Sequence, residues 1–342
     1  MLIVTKNKIF FILTINFIII LFFNPLVSTN AQSVAKKPIK LALTVWVPNF
    51  LSYVAQEKGF FNKNNVEVNI TLVQNYGNAV KAFSNGEFDG MFIVYSDAII
   101  LNSEGIDTRV VYNLDSSDSA DAIVGNGNSL SDVKGKMIGV EGINSFSHFF
   151  VLKSLEKVGL NEGDVEFVDM SAQNVSKGLK NGDIFAGHTY EPFVSDAINQ
   201  GYKILFTGAD NPGIITNVLA FHSDLVDQQP QDIKNIIKAL NDAKQDYENN
   251  KEEDIQIMAS ESGLNKNEII SGIKSPKLFD LNYNVQHSMS KNPNQTTSLY
   301  KTGNDIARFY AERGVISDYP IIDKIVDSHF ASELKIQSQI NR

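Results

Sequence analysis

Polar and aromatic residues follow two similar apolar runs, where they could hold a small polar molecule. Tyr95, Ser96 and Asp97 come at the end of the run that begins at Met91, and Tyr190 and Glu191 end a second run that begins at Gly187. Carboxylates accept hydrogen bonds from amines, and aromatic rings stack on flat or cationic groups. These residue types therefore predict non-covalent recognition of a small polar solute.

The elements that must position these residues occur twice along the chain. Each apolar run follows a short amphipathic stretch and an Asn-Gly pair, Asn85-Gly86 in the first copy and Asn181-Gly182 in the second. Glycine ends a helix at low cost, so each copy predicts a helix, a stop and a buried parallel strand. Two such units predict two lobes, with ligands bound beyond the carboxyl ends of the strands. The alternative is that a helix, an Asn-Gly pair and a strand simply follow one another often in α/β proteins.

Further candidates follow other predicted strands. Trp46 comes after the first strand and could stack on a ligand or pack in the core, and Asn49 could contact a ligand or cap the next helix. Tyr76-Gly77 and Gly142-Ile143-Asn144-Ser145 mark two starts of helices, where free backbone N–H groups could bind an anion. Water, or a cap by Asn144 or Ser145, would satisfy those groups equally well.

The acidic side chains predict the charge of the solute. Glu191 could accept hydrogen bonds from an amine, whereas Asp115 and Asp118 are expected to cap a turn. His188 is expected to pack beside the sheet and not to line a cleft. Arg109 is the only arginine near these acids in the sequence. We therefore expect a neutral or amine-bearing solute, and an anion only if the helix starts at Gly77 and Gly142 dominate.

Composition excludes several classes of function. The 342-residue chain has no cysteine and a formal charge of −9, with no basic stripe, which makes nucleic acid or an anionic membrane surface a poor partner. The absence of cysteine removes disulfides and thiolate metal sites. The five histidines have no metal-ligand spacing, and no nucleophile elbow occurs. We expect no catalytic residues, no metal site and no cofactor.

The amino terminus has the composition of a secretory signal peptide. Lys6 and Lys8 precede an apolar run from Ile9 to Phe23, and small residues lead to Ala31. We expect cleavage after residues 1–31 and a mature protein outside the cytoplasmic membrane. The alternative is an uncleaved membrane anchor.

Several segments, taken in order, resemble a known family of binding proteins. They are Trp46-x-Pro48, Tyr53-Val54-Ala55-x-Glu57-Lys58-Gly59-Phe60-Phe61, Asn85-Gly86-Glu87-Phe88-Asp89-Gly90, Gly135-Lys136-Met137-Ile138-Gly139-Val140 and Tyr190-Glu191-Pro192. From about Lys40 to Phe330 the chain resembles the substrate-binding proteins of nitrate, sulfonate, taurine and thiamine-precursor ABC importers. The stretch from Trp46 to Asn49 resembles the pyrimidine-binding members. The family's pyrimidine synthase carries a cysteine-rich motif that this chain lacks.

The resemblance implies a two-lobed α/β periplasmic-binding-protein fold (type II), in which each lobe is a mostly parallel sheet flanked by helices. We place residues 38–115 and 221–342 in lobe I and residues 116–220 in lobe II. The implied function is capture of a small polar organic solute for an ABC permease and ATPase, by a monomer that contacts the membrane through the transporter or through an uncleaved anchor. The alternatives are a binder of sulfonate, taurine, nitrate or bicarbonate, a sensory domain of the same fold, and an enzyme. The predicted ligand-binding residues are Trp46, Asn49, Tyr76, Gly77, Tyr95, Ser96, Asp97, Gly142, Asn144, Ser145, Tyr190 and Glu191.

Overall fold

The computed structural model describes residues 37–340, so the expected signal peptide at residues 1–31 lies outside the described part of the chain. The strands of the described part are β1 (Ile39–Leu43), β2 (Val68–Leu72), β3 (Gly90–Val94), β4 (Thr108–Ser116), β5 (Asp121–Gly125), β6 (Met137–Val140), β7 (Glu166–Asp169), β8 (Ala186–Tyr190), β9 (Lys203–Thr207), β10 (Thr216–His222) and β11 (Lys277–Leu278). They form two sheets. Sheet A has the order β11-β4-β10-β3-β1-β2, and sheet B has the order β7-β6-β8-β5-β9.

Helices connect and cover these strands. They are α1 (Leu51–Glu57), α2 (Phe60–Lys63), α3 (Tyr76–Ser84), α4 (Tyr95–Ser103), α5 (Phe146–Lys157), α6 (Val175–Asn181), α7 (Phe193–Asn199), α8 (Ser223–Gln228), α9 (Pro230–Asn249), α10 (Lys251–Ser262), α11 (Lys266–Lys274), α12 (Leu281–Tyr283), α13 (Leu299–Glu312), α14 (Ile322–Ile325) and α15 (His329–Ile340). The long helix α9 shows why such segments are helical: Ile233, Ile236, Ile237 and Leu240 recur at helical spacing and all are buried.

The repeated Asn-Gly pairs end helices in both sheets. Helix α3 stops before Asn85 and α6 stops at Asn181, and Gly86 and Gly182 adopt φ angles of 75° and 79°. Glycine takes this left-handed conformation without a steric penalty. The following strands, β3 and β8, are buried along their whole length and pair in parallel with β1 and β6.

Most strands of each sheet run in the same direction, as the sequence predicts, but both sheets also contain antiparallel pairs. In sheet A, β10 runs antiparallel between β3 and β4, and in sheet B, β5 runs antiparallel between β8 and β9. The antiparallel strands flank the two points where the chain crosses between sheets. The chain leaves sheet A after Ser116 and enters sheet B at Asp121.

The return to sheet A comes earlier than the sequence indicates. The sequence analysis extends lobe II to residue 220, but β10 begins at Thr216 and belongs to sheet A. The apolar run of β10 carries no mark of which sheet it joins, because either core would bury it. The two crossing segments lie side by side, and the backbone N–H of Ser117 donates to the carbonyl of Ile215 at 3.1 Å.

A second contact between the two parts joins α13 to α5. The ring of Phe309 lies edge-on to Phe149 at 4.9 Å, and the hydroxyl of Tyr310 donates to the carbonyl of Ser145 at 3.4 Å. Arg313, just past the end of α13, forms an ion pair of 2.5 Å with Glu162. These contacts hold a C-terminal helix against the first helix of sheet B.

Candidate functional site

Side chains at the carboxyl ends of strands in both sheets meet at the junction between the sheets. Trp46 follows β1, and its indole N–H donates to Asp115 Oδ2 at 3.1 Å. The same ring lies edge-on to Tyr190 of sheet B, with 5.9 Å between ring centroids. Trp46 is buried, so it both packs in the core and links the two sheets.

Asp97 makes a polar contact between the two sheets. It occupies the third position of α4, and its Oδ2 accepts from the Tyr76 hydroxyl at 2.7 Å. Its Oδ1 accepts from the backbone N–H of Phe146, the first residue of α5, at 3.1 Å. The Phe146 ring also lies edge-on to Tyr76 at 4.8 Å. A carboxylate from sheet A therefore caps a helix of sheet B.

Glu141 follows β6 directly and lies buried beside Tyr190. Its carboxylate accepts from the Tyr190 hydroxyl at 3.4 Å and from the backbone N–H of Ala172. The sequence pattern indicates the neighbouring turn at Gly142 but does not single out Glu141 as a ligand-binding residue. The signal was present, because Glu141 follows its strand as Tyr95 follows β3.

Asp115 corrects an expectation of the sequence analysis. It does not cap a turn but lies fully buried near the end of β4, where Asn217 of β10 donates to its Oδ1 at 2.8 Å. Asp118 does lie in the exposed turn that follows, with a φ of 49°. The sequence does not indicate a role for Asn217 either. Its hydrogen bond to Asp115 becomes apparent only when β4 and β10 are paired.

His188 packs within the core of sheet B, as expected, and it also holds two polar groups there. Its Nδ1 lies 2.8 Å from Ser147 Oγ, and its Nε2 lies 2.9 Å from Asp121 Oδ1. Ser147 Oγ also accepts from the backbone N–H of Glu141 at 2.9 Å. All three side chains are buried, so this row fixes the position of Glu141.

Burial raises the pKa of three of these carboxyl groups to about 7. For Asp97, the hydrogen bonds from Tyr76 and Phe146 oppose the effect of burial, and for Asp115 those from Asn217 and Trp46 do so. For Glu141, the charges of Asp97 and Asp121 add to the effect of burial. A group with a pKa near 7 changes its protonation at neutral pH with small changes in its surroundings.

The two helix starts proposed as anion sites are already capped by side chains. Asn75 accepts from the backbone N–H of Asn78 in α3, at 2.9 Å, and Gly77 is exposed. At α5, Ser145 Oγ accepts from Ser147 and, more weakly, from His148, at 3.1 and 3.5 Å. With Asp97 on Phe146, all three first N–H groups of α5 have side-chain acceptors, as in the capping alternative.

The turn before α5 is shaped by two left-handed residues. Gly142 has a φ of 90° and donates its N–H to Asp169 Oδ1 at 3.1 Å. Asn144 has a φ of 64°, is exposed, and donates its N–H to His148 Nδ1 at 3.1 Å.

Three other predicted residues, Tyr95, Ser96 and Glu191, lie in different surroundings. The Tyr95 hydroxyl donates to the carbonyl of Leu299 at 2.9 Å, which directs this side chain to α13 and away from the junction. Ser96 is buried in the first turn of α4. The carboxylate of Glu191 accepts from the N–H and the hydroxyl of Ser195, at 3.2 and 3.0 Å.

Asn49 is buried in the short 3-10 helix Val47–Phe50 and does not cap α1. Among the described residues, no hydrogen bond reaches its Oδ1. It lines a cavity of about 30 Å³ together with Asp115.

Arg109 lies far from this junction. It stands at the start of β4, six residues before Asp115, which corresponds to about 20 Å along an extended strand. Its guanidinium forms a paired contact with Asp227, at 2.6 and 2.9 Å.

Two negative findings concern residues 37–340. No cluster of three or more histidine or acidic side chains there has the arrangement of a metal site. Within the same range, no helix combines the length and apolar character needed to cross a bilayer.

Comparisons with known proteins agree on the architecture. The family model described as NMT1/THI5 like matches residues 48–254. The alkanesulfonate-binding protein of Xanthomonas axonopodis pv. citri, solved with MOPS, superposes with a TM-score of 0.70 at 16% identity, over 86% of this chain and 100% of that one. The periplasmic nitrate-binding protein of Synechocystis PCC 6803 gives 0.69 at 16% identity, over 88% of each chain. The shared fold is the two-lobed periplasmic-binding-protein fold that the sequence predicts.

Two curated proteins are similar in sequence. The taurine-binding periplasmic protein of Escherichia coli K12 is 26% identical over 201 residues, which cover 55% of this chain and 60% of that protein. A Haemophilus influenzae protein assigned to thiamine biosynthesis is 31% identical over 160 residues, covering 45% and 50%. The chain thus spans about half the length of the curated relatives it matches.

Proposed function

Because this chain belongs to the NMT1/THI5-like family, we propose that it is an extracytoplasmic substrate-binding protein that delivers a small polar organic solute to an ABC importer. The names of a taurine-binding and a nitrate-binding protein among its relatives support this role. Its partners would be the permease and ATPase subunits of that importer. Residues 1–31 would direct its export.

One observation carries the proposal: side chains of the two sheets meet where parallel strands end. The Asp97 contact with Phe146 and the Trp46 contact with Tyr190 both join sheet A to sheet B. Ligands of open α/β sheets bind at such carboxyl ends. Two lobes that close on a solute would enclose it among these residues and present a closed surface to the transporter.

The contacts favour an amine-like or pyrimidine-like solute over an anion. The buried acidic groups at the junction offer hydrogen-bond acceptors, and each of them repels negative charge when it is ionised. The N–H groups of α5 that would attract a sulfonate or nitrate are already bonded to Asp97 and Ser145. Of the predicted ligand-binding residues, we retain Trp46, Asn49, Tyr76, Asp97 and Tyr190, and we add Asp115 and Glu141.

A binding role also fits the chemistry of the junction better than catalysis. Ser147, His188 and Asp121 form a row that resembles a hydrolase triad, but the Ser147 oxygen is buried and accepts from the backbone of Glu141. A nucleophile must reach its substrate, and this oxygen cannot do so.

The test is a thermal-shift screen of the exported protein against amines, aminopyrimidines, taurine, alkanesulfonates, nitrate and bicarbonate. A solute at one hundred times its dissociation constant stabilises the protein by about 2.7 kcal/mol. Small-angle scattering should then show a smaller radius of gyration with the solute than without it. If no compound raises the melting temperature, the transport role is contradicted, and turnover of any compound would instead indicate an enzyme. A sensory domain would bind a solute without co-purifying with a permease.

A further inference from the structure

Four carboxylates are buried together at the junction of the two sheets. Asp97, Asp115, Asp121 and Glu141 are 6%, 0%, 1% and 8% exposed. They come from α4, β4, β5 and the end of β6, so both sheets contribute. The effects of Asp121 on Asp115 and Glu141, and of Asp97 on Glu141, show that these groups lie close enough to interact.

Their hydrogen-bond donors are almost all neutral. Within residues 37–340 these are the Tyr76 and Tyr190 hydroxyls, the Trp46 indole, the Asn217 amide and two backbone N–H groups, and only His188, on Asp121, can carry a charge. Burying several carboxylates without cations is costly, so Asp97, Asp115 and Glu141 hold protons more tightly than exposed carboxyl groups do. The raised pKa values given above agree with this argument.

The basic side chains around the junction have acidic partners of their own. Lys244, which lines the cavity beside Asp115, pairs with Glu248 at 2.7 Å. Arg313, near Tyr310, pairs with Glu162. Burial lowers the pKa of His148 to about 4, which keeps it neutral.

An independent observation concerns Asn49. Only 3% of its surface is exposed, and among the described residues its Oδ1 accepts no hydrogen bond. It shares its cavity with Asp115, and the Tyr112 hydroxyl that lines the same cavity donates to Asn241 at 2.9 Å. A buried acceptor without a donor is costly, so Asn49 Oδ1 is suited to a ligand group that donates a hydrogen bond.

Aromatic rings complete these surroundings. Trp46, Tyr190, Phe146 and Tyr76 form a continuous series, with neighbouring centroids 4.8 to 6.5 Å apart. Rings of this kind attract organic cations through their faces, and carboxylates add to that attraction.

We propose that the solute bound at this junction carries a positive charge, and that its binding releases a proton held among Asp97, Asp115 and Glu141. This rests on the proposed binding function and names the charge class of its solute. The cation takes the place of the proton: one protonated carboxyl becomes a carboxylate paired with the bound cation, and the proton passes to solvent.

The experiment compares cations with neutral compounds of the same shape. The probes are choline with dimethylbutanol and benzylamine with benzyl alcohol, each tested by thermal shift at about pH 6 and about pH 8. We expect the charged member of at least one pair to bind at least tenfold more tightly than its neutral partner. Calorimetry in phosphate and in Tris at pH 7 should show release of about one proton, and the affinity should rise up to tenfold per pH unit.

Two variants test which carboxyl groups release the proton when the solute binds. Glu141→Gln and Asp115→Asn keep the shape of the site but remove a titrating group, and each should reduce the proton release and flatten the dependence on pH. Glu104→Gln, at an exposed position, should leave both unchanged. Circular dichroism checks that each variant is folded.

The possible outcomes distinguish the positive charge of the solute from the solute-binding function on which it rests. Equal affinity for both members of every pair, no proton release, or preferential binding of nitrate, taurine or an alkanesulfonate would overturn the cationic solute and leave a solute-binding protein. If the charged probes do not bind at about pH 8 while a neutral solute does, the proposal of a cationic solute is overturned as well. Failure of every compound in both screens overturns both proposals.

Discussion

The ligand-free protein should gain stability at high pH when Glu141 is replaced by glutamine. Burial raises the pKa of this carboxyl from 4.5 to about 7, and nearby Asp97 and Asp121 contribute. The glutamine side chain would have the same shape and would keep one acceptor oxygen, but it would carry no charge. The substitution therefore removes the cost of ionisation and preserves the shape of the site.

The sign follows from proton binding. A carboxyl whose pKa is raised by folding holds its proton in the folded state and loses it in the unfolded chain, between pH 4.5 and about 7. The free energy of unfolding of the parent protein must fall across this window, and the full loss is present above it. The pKa difference corresponds to about 3 kcal/mol, an upper value because opening of the lobes can admit water. Glu141→Gln should be no more stable than the parent near pH 4 and up to about 3 kcal/mol more stable near pH 8.

Urea unfolding, followed by circular dichroism at several pH values, measures this difference. Glu104→Gln makes the same chemical change at an exposed position and should follow the parent at every pH. Parallel curves for Glu141→Gln and the parent protein between about pH 4 and pH 8 would refute the reasoning. They would mean that Glu141 is hydrated or is paired with a cation.

Three further substitutions test other contacts. Trp46→Ala removes a buried ring and a donor to Asp115, and should cost about 3–5 kcal/mol of stability in urea unfolding, whereas Trp46→Phe removes the donor but keeps a ring and should cost about 1–3 kcal/mol; no loss of stability in Trp46→Phe would mean that the indole N–H contributes nothing. Because Ser195 occupies the Glu191 carboxylate, Glu191→Gln should change solute affinity less than about threefold in calorimetry, and a loss of tenfold would place Glu191 in the site. Arg313→Ala breaks the ion pair between α13 and sheet B and should increase the radius of gyration of the ligand-free protein in scattering, so an unchanged radius would exclude a role in closure.

Local signals in the sequence predict the order of helices and strands well. Asn85-Gly86 and Asn181-Gly182 end helices because glycine tolerates a positive φ, and this requirement is visible in the chain alone. The two lobes followed from the repeated unit. The strand β10 was misplaced because a buried apolar run does not state which sheet will accept it.

The contacts among the candidate residues could be predicted only in part, because the partners are distant in sequence. Asp97 and Trp46 were identified from their positions after strands, but their contacts with Phe146 and Tyr190 depend on how two separate sheets face each other. Asp115 was assigned to a turn because an acid among serines usually bonds to its own backbone. Its true partner, Asn217, lies 102 residues further along the chain.

The bond between Asp115 and Asn217 lies beside both crossings of the chain, since β4 ends and β10 begins there. The backbone bond between Ser117 and Ile215 is close by. Asp115 and Asn217, which would contact the solute, would therefore also determine how rigidly the two lobes are connected. If the proposed binding function holds, a substitution at Asp115 or Asn217 that changes specificity for the solute would also change the rates of its capture and release.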